Sequence, residues 1–423
     1  MIVLFVAFVA LLVVGLPIFL AMAGSALAAV ASEGIPLGVV AQRIITGVQS
    51  FPLLAVLLFT LAGALMNESG ISDRLFAFTR AFVGHIRGGL AQTAVVSNVF
   101  LAGISGSSVA DCAATARVFV PQLTREGYGQ GFAAALSASV ATLGPIIPPS
   151  ILMVIYAWQA NISLGDLFWA GVIPGLAMAV SMMALTAIIA TRRSFPKEEA
   201  FSGTRFWSAF KSASWALLMP VLILTGFRLG VFTATEIAGV AAAYALVVGK
   251  FVYRTLTWSM LPRILLSTAK ETAVILVIVG AAAPFSWILG IEQAPQLIAE
   301  TVKQLTSNPW VLLLLLNVVL LILGMFMETI AIMIILVPIL IPVLTAFGVD
   351  LTHFGIVLLV NLVIGQLTPP VGVLLFVSSS VSRTPLGSIL NEITPFLVAL
   401  IVTLMVLTFI PALSLWLPGF LNH

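Results

Sequence analysis

The sequence predicts an all-α polytopic membrane protein, and three observations carry that reading. Hydrophobic residues fill 61% of the 423 positions, only 8% are charged, and the mean hydropathy is +1.21. A soluble domain carries about 25% charged residues, so this chain lacks the side chains to cover a water-facing surface. The apolar runs last about 20 residues or more, the length a helix needs to cross a hydrocarbon core of ~30 Å. The period-2 alternation of a membrane β-barrel is absent, and with 8 Trp and 4 Tyr the aromatic content is modest for one.

The same properties narrow the function. A net charge of +3, scattered along the chain, does not point to nucleic acid. A single cysteine, Cys112, rules out an internal disulfide. A membrane-embedded enzyme needs a nucleophile and a base together, and no GxSxG, HExxH or paired-acid motif supplies them. A channel needs a continuous polar or charged lining, and no ring of acids is evident.

Apolar segments run at 2–30, 36–66, 91–121, 131–160, 165–191, 214–231, 234–253, 271–291, 310–346, 353–381 and 394–417. Ser25-Ala26-Leu27-Ala28 faintly resembles a cleavage site, but no Lys or Arg precedes Arg43, so the first run reads as an uncleaved transmembrane helix. Asp73 to Arg87 mixes Phe76, Phe78 and Phe82 with Arg74, Arg80 and Arg87, the pattern of an interfacial amphipathic helix. The linker 191–211 holds Arg192, Arg193, Lys197, Arg205 and Lys211 against Glu198 and Glu199, which places it in the cytoplasm.

That linker divides the chain into halves of similar size, and the halves match. A shift of 221 residues carries Gly103 onto Gly324, Pro121 onto Pro342 and Gly127 onto Gly348. It also carries Gly144 onto Gly365, Pro148 onto Pro369 and Pro149 onto Pro370, without a gap. Unrelated hydrophobic segments have no reason to agree at helix-breaking positions, so 103–149 and 324–370 read as an internal repeat. Interrupted hydrophobic segments at corresponding positions of two halves are the best pointer to a secondary transporter's binding site.

Each repeat contains two interruptions. The first is a knot of small or polar residues, Gly103-Ile104-Ser105-Gly106-Ser107-Ser108 and Gly324-Met325-Phe326-Met327-Glu328-Thr329, placed as the turn of a re-entrant helical hairpin. The second is the proline motif, "GPIIPPS" from Gly144 and "GQLTPPV" from Gly365. Each proline removes a backbone donor and clashes with the preceding turn. Unwound backbone inside a bilayer is tolerable only where protein buries it or it lines a watery cavity, because unmet carbonyls cost several kcal/mol each. A sodium ion meets that need, being a hard cation that takes backbone carbonyls and Ser or Thr hydroxyls. The restarting half-helices offer free N–H groups and a partial positive charge to a carboxylate. Each repeat therefore reads as holding an ion-and-substrate site.

With their flanks, "GISGSSVADCAATARVFVPQLTREGYGQGFAAALSASVATLGPIIPPS" and "GMFMETIAIMIILVPILIPVLTAFGVDLTHFGIVLLVNLVIGQLTPPVGVLLFV" resemble the large membrane subunit of tripartite ATP-independent periplasmic (TRAP) transporters. The resemblance covers essentially the whole chain. It implies an elevator-type importer in the bacterial inner membrane, driven by two or more sodium ions. It also implies an organic acid substrate delivered by a periplasmic substrate-binding protein. The partner would be a small four-helix membrane subunit, expected here as a separate chain. Sialic acid, C4-dicarboxylates, other sugar acids and keto acids all fit, because selectivity in the family rests largely with the binding protein. A stand-alone sodium/dicarboxylate symporter of the same architecture is the alternative.

Carried over residue by residue, the resemblance puts the first sodium site on Ser105, Ser107, Gly144, Ile147 and Pro149. The shift of 221 projects the second onto Gly365, Thr368 and Pro370 with Glu328 or Thr329, although Phe326 and Glu328 stand where the first tip has Ser105 and Ser107. Asp111 lies four residues past Ser107, on the same helix side, and the resemblance places an acid there beside the substrate. Ser107, Ser108, Asp111 and Asn361 are the candidate substrate residues. Asn98, Asn317 and Asn361 fit hairpin-closing hydrogen bonds equally well, and the serines could be ordinary interhelical donors. His85 and His353 read as loop or interface residues and Arg383 as a snorkelling cation.

The expected layout is a scaffold with interfacial helix over 1–90, a first transport repeat over 91–164 and further scaffold over 165–291. A second transport repeat covers 310–381, and a C-terminal helix covers 382–423.

Overall fold

The computed structural model describes residues 1–196, 200–230 and 232–421, so Lys197, Glu198 and Glu199 of the 191–211 linker lie outside the described residues. Among the described residues the chain is helical, with no strand. The first half contains α1 (Ile2–Val13), α2 (Ile18–Ser32), α3 (Gly38–Val48), α4 (Leu54–Glu68) and α5 (Ile71–Val83). It continues with α6 (Gly89–Ser105), α7 (Ser108–Arg125), α8 (Gln130–Val140), α9 (Ile151–Ala160) and α10 (Leu164–Arg192). The second contains α11 (Gly203–Arg228), α12 (Ala234–Val247), α13 (Leu261–Ile291), α14 (Ala294–Leu305) and α15 (Pro309–Phe326). It closes with α16 (Thr329–Ala346), α17 (Leu351–Gly365), α18 (Val373–Ser382), α19 (Leu386–Phe409) and α20 (Ala412–Leu421). Among the described residues, eight helical spans are long and apolar enough to cross a membrane.

Two expected crossings are divided. The N-terminal run is not one helix: Gly15 takes φ +89° and Pro17 follows, so α1 and α2 are separate helices of 12 and 15 residues. The run 36–66 is divided at Ser50-Phe51-Pro52, where a 3₁₀ turn joins α3 to α4. Residues Asp73 to Arg87, by contrast, do contain an amphipathic helix. α5 buries Leu75, Phe76 and Phe78 while Phe82 stays 46% exposed, and the ring of Phe78 meets Phe206 and Phe210 of α11.

The duplication extends beyond the matched motifs. A shift of 221 residues carries 108–125 onto 329–346, so α7 lands on α16 end for end. It carries 71–83 onto 292–304, beside α14, and 164–192 onto 385–413, beside α19. Pro174 inside α10 then falls on Pro395 inside α19. Gly127 and Gly348, which close α7 and α16, both sit at positive φ (86° and 69°), where a side chain would be strained.

The two copies run in opposite directions. At the start of α8, the Gln130 amide donates to the Ser382 carbonyl at the end of α18 (3.4 Å). At the end of α9, Tyr156 Oη donates to Leu351 O at the start of α17 (2.6 Å). Between them Ser378 Oγ donates to Ala134 O at 2.8 Å. Arg87, at the base of the first hairpin, reaches Thr191 at the linker end of α10 (3.4 Å), and Arg193 pairs with Glu392 on α19. The hairpin α6–α7 therefore rises from the linker end of the bundle and α15–α16 from the opposite end. This is the inverted-repeat arrangement of many transporters. α10 and α19 pack directly on the broken helices: a Cβ at Gly171 would lie 2.5 Å from Ile146 O, and one at Gly131 2.6 Å from Ser388 O.

Candidate functional site

The first hairpin turns at Gly106, which adopts φ +61°, and restarts at Ser107, whose hydroxyl caps α7 by accepting from Ala110 N at 3.4 Å. Asn98 and Thr115 hydrogen-bond across the two arms at 2.9 and 3.1 Å, so this asparagine closes the hairpin. The tip is pressed onto the first break. A Cβ on Gly106 would lie 2.6 Å from Pro149 O, and one on Gly144 would lie 2.6 Å from Asp111 Oδ2 and 3.1 Å from Ser108 N. Only glycine allows backbones this close.

Ser105, Ser107, Gly144, Pro149 and Asp111 are thereby brought together. Ser105 Oγ donates to Asp111 Oδ1, and the Ser107 amide donates to Ser105 Oγ at 3.3 Å. Asp111 is 1% exposed, yet its Oδ2 has no hydrogen-bond partner among the described residues. Nor, among them, does any hydrogen bond end on a carbonyl from Gly144 to Pro149. Ile147 contributes to this run through its backbone, while its side chain packs beneath Gly175 of α10. The site is thus a buried group of oxygen acceptors lacking donors, a chemistry that suits a hard cation. Asp111 stands behind the tip with these acceptors and outside the lining of the neighbouring cavity.

The second repeat solves the same geometry with other residues. Met327, in extended backbone, replaces the left-handed glycine at the tip. Glu328 caps α16, its Oε2 accepting from Ala331 N at 3.0 Å. Gly365 touches Gly324, so that a Cβ there would lie 2.7 Å from the Gly324 Cα. Thr368 Oγ1 donates to Ile364 O at 2.7 Å, Pro370 is exposed, and among the described residues the carbonyls of 367–371 accept no hydrogen bond. The Pro148–Pro149 and Pro369–Pro370 peptide bonds are both cis.

A cavity of about 230 Å³ lies where both tips meet α4 and α13. Ser105, Ser107, Ser108, Glu328 and Thr329 line it, joined by Pro145, Gln366, Asn67 and Glu271. It is smaller than the usual drug-sized pocket of about 300–1,000 Å³ and suits a small solute. Gln366, Asn67 and Glu271 escaped the sequence reading. Glu271 carried a visible signal as a lone acid opening the 271–291 segment, and Gln366 did so as the residue matched to Pro145. Asn361 lies elsewhere: it is fully buried and donates to the Asn317 carbonyl and side chain, both at 2.9 Å. Asn317 in turn binds Thr408 of α19 at 2.9 Å, tying α15 to α17 and α19. His353 faces Ser414 at 3.4 Å, and Arg383 ends α18 outside the cavity.

Residues 5–413 match the family model described as "Tripartite ATP-independent periplasmic transporter, DctM component". The chain is 43% identical over 374 residues to the C4-dicarboxylate TRAP transporter large permease protein DctM of Pseudomonas aeruginosa, covering 88% of each. It is 39% identical over 378 residues to the sialic acid TRAP transporter large permease protein SiaM of Vibrio cholerae, covering 89% of this chain and 88% of that one. Among solved structures, the YdaH transporter of Alcanivorax borkumensis shares the fold at a TM-score of 0.65 and 18% identity, covering 89% of this chain and 87% of that one. An internally duplicated, inverted helical bundle, with a family match from end to nearly end, places the chain in the DctM family, the large permease component of TRAP transporters.

Proposed function

We propose that this chain is the translocating subunit of a sodium-driven importer for a small organic acid. It would work in the bacterial inner membrane with a small membrane subunit and a periplasmic substrate-binding protein. The names of its relatives support an acid substrate: a C4-dicarboxylate in one, sialic acid in another. The observation that carries the cation is the donor set. Asp111 Oδ2 and the carbonyls of 144–149 are all oxygen and accept no hydrogen bond among the described residues, and the Ser105 and Ser107 hydroxyls, each accepting only one backbone N–H, lie beside them. Desolvated oxygens of this kind are costly unless a cation joins them.

The cavity supports co-transport. Its lining includes Glu271 and Glu328 but no Lys, Arg or His. An organic anion entering such a space meets like charge, so cations must arrive with it to make binding favourable. The first sodium would lie among Ser105, Ser107, Gly144, Ile147 and Pro149. A second would lie among Glu328 or Thr329, Gly365, Thr368 and Pro370, with substrate held at Ser107 and Ser108. Both hairpins and broken helices would move as one unit past the remaining helices, α4 and α13 among them.

The test is uptake of radiolabelled acid by proteoliposomes holding both membrane subunits, with the binding protein outside. Uptake should require an inward sodium gradient and the binding protein. Uptake at full rate in sodium-free potassium buffer would refute the cation reading, and uptake of free acid without binding protein would favour a stand-alone symporter.

A further inference from the structure

Gln366 stands where the two repeats differ most in chemistry. Its equivalent in the first break is Pro145, so its amide has no counterpart there. Oε1 accepts from Ser108 Oγ at 2.7 Å, and Nε2 donates to Thr329 Oγ1 at 2.7 Å. Ser108 and Thr329 are themselves equivalents under the shift of 221: each is the first residue of the helix that restarts after a hairpin tip. One side chain therefore clasps a matched pair of hydroxyls, one from each repeat, near the axis that relates them.

This clasp is buried and anchored. Gln366, Ser108 and Thr329 are 7%, 4% and 1% exposed. The Gln366 amide donates to Leu362 O, and its carbonyl accepts from Leu374 N, both at 3.0 Å, so its own backbone bridges the second break. The residues just before Ser108 and Thr329 are Ser107 and Glu328, the capping side chains named above as cation ligands. A shift of either tip moves one of these ligands and pulls on the other through Gln366.

We propose that Gln366 is a positioning residue that couples the two cation sites, so that filling one sets the geometry of the other. This rests on the sodium reading above. Coupling between two sites is reciprocal in binding free energy, so it must show as cooperativity in sodium itself.

The experiment follows thermal unfolding of the full-length protein in detergent as sodium chloride replaces choline chloride at constant ionic strength. The wild-type response should have a Hill coefficient of about 2, and Gln366→Met should lower it to about 1 and raise half-saturating sodium about fivefold or more. Methionine keeps the length and removes both hydrogen bonds. Ser108→Ala cuts the same bridge at its first-repeat end and leaves the candidate cation ligands in place. It should reproduce the loss of cooperativity, add nothing to Gln366→Met, and serve in its place if Gln366→Met does not fold. A merely structural glutamine would lower the unfolding temperature while leaving cooperativity intact, which overturns the proposal, as does a wild type with a Hill coefficient of 1. A wild type that ignores sodium altogether refutes the sodium reading instead.

Discussion

In the first break every residue from Gly144 to Ser150 except Ile147 is buried, whereas in the second Thr368 and Pro369 are half-buried and Pro370 and Val371 are exposed. The matched glycines also face different neighbours. Gly144 packs on the second arm of its hairpin, at Asp111 and Ser108, while Gly365 packs on the first arm of its own, at Gly324. A buried carboxylate backs the first break, and a carboxylate on the cavity wall caps α16 in the second repeat. Duplication has conserved the backbone code, glycine then a proline pair, because only those residues unwind a helix at that point. The side chains around it have diverged, because a hydroxyl, an amide or a carboxylate can each meet a freed backbone group.

The largest effects should come from filling the close approaches. Gly144→Ala puts a methyl 2.6 Å from Asp111 Oδ2 with backbone at 3.1 Å, and Gly365→Ala puts one 2.7 Å from the Gly324 Cα. Overpacking of this kind costs about 1–3 kcal/mol, and both variants should reach the membrane yet lose uptake. Normal transport by either would remove that break from the site.

Next in size is the contrast between the two acids. Asp111→Asn keeps the shape and the Ser105 contact but removes the charge. Its loss should weaken sodium by about 3 kcal/mol, about 100-fold, as when one partner of a buried pair is deleted. Glu328→Gln can still cap α16, and about a tenfold rise in the sodium requirement, about 1.4 kcal/mol, is expected. Sodium titrations of uptake measure both, and equal effects would erase the asymmetry between the sites.

Smaller changes should follow from the asparagines. Asn98→Ala unlatches the first hairpin, and Asn361→Leu removes both bonds to Asn317. Interhelical hydrogen bonds in membranes are worth about 0.6 kcal/mol and at most about 1.7, so each variant should lower the unfolding temperature modestly with uptake retained. Lost uptake at unchanged stability would instead make Asn361 a substrate contact. The smallest effect belongs to Glu392→Gln at the exposed Arg193 pair, about 0–1 kcal/mol and weaker still in high salt.

Much of the site could be read along the chain. α7, α9 and α16 start where Ser107, Ser150 and Glu328 provide caps, and α6 stops at the left-handed Gly106. Such signals are local, involving a residue and the turn beside it. Gln366 could not be recognised this way, since its partners lie 258 and 37 residues away. The same holds for Asn361, whose observed bond reaches Asn317 on α15, 44 residues away.

By itself the sequence determined the solvent this protein lives in, the matched places where its two repeats break and the duplication that sets those breaks in pairs. Each follows from composition or from backbone stereochemistry, which travels with the residue. Only the tertiary structure decided that the copies run in opposite directions, that the tips meet across a shared amide, and that Asp111 turns toward the first break. Those outcomes depend on which apolar faces pack together. Hydrophobic packing is non-directional, so close-packed shape, and not local propensity, selects among the arrangements.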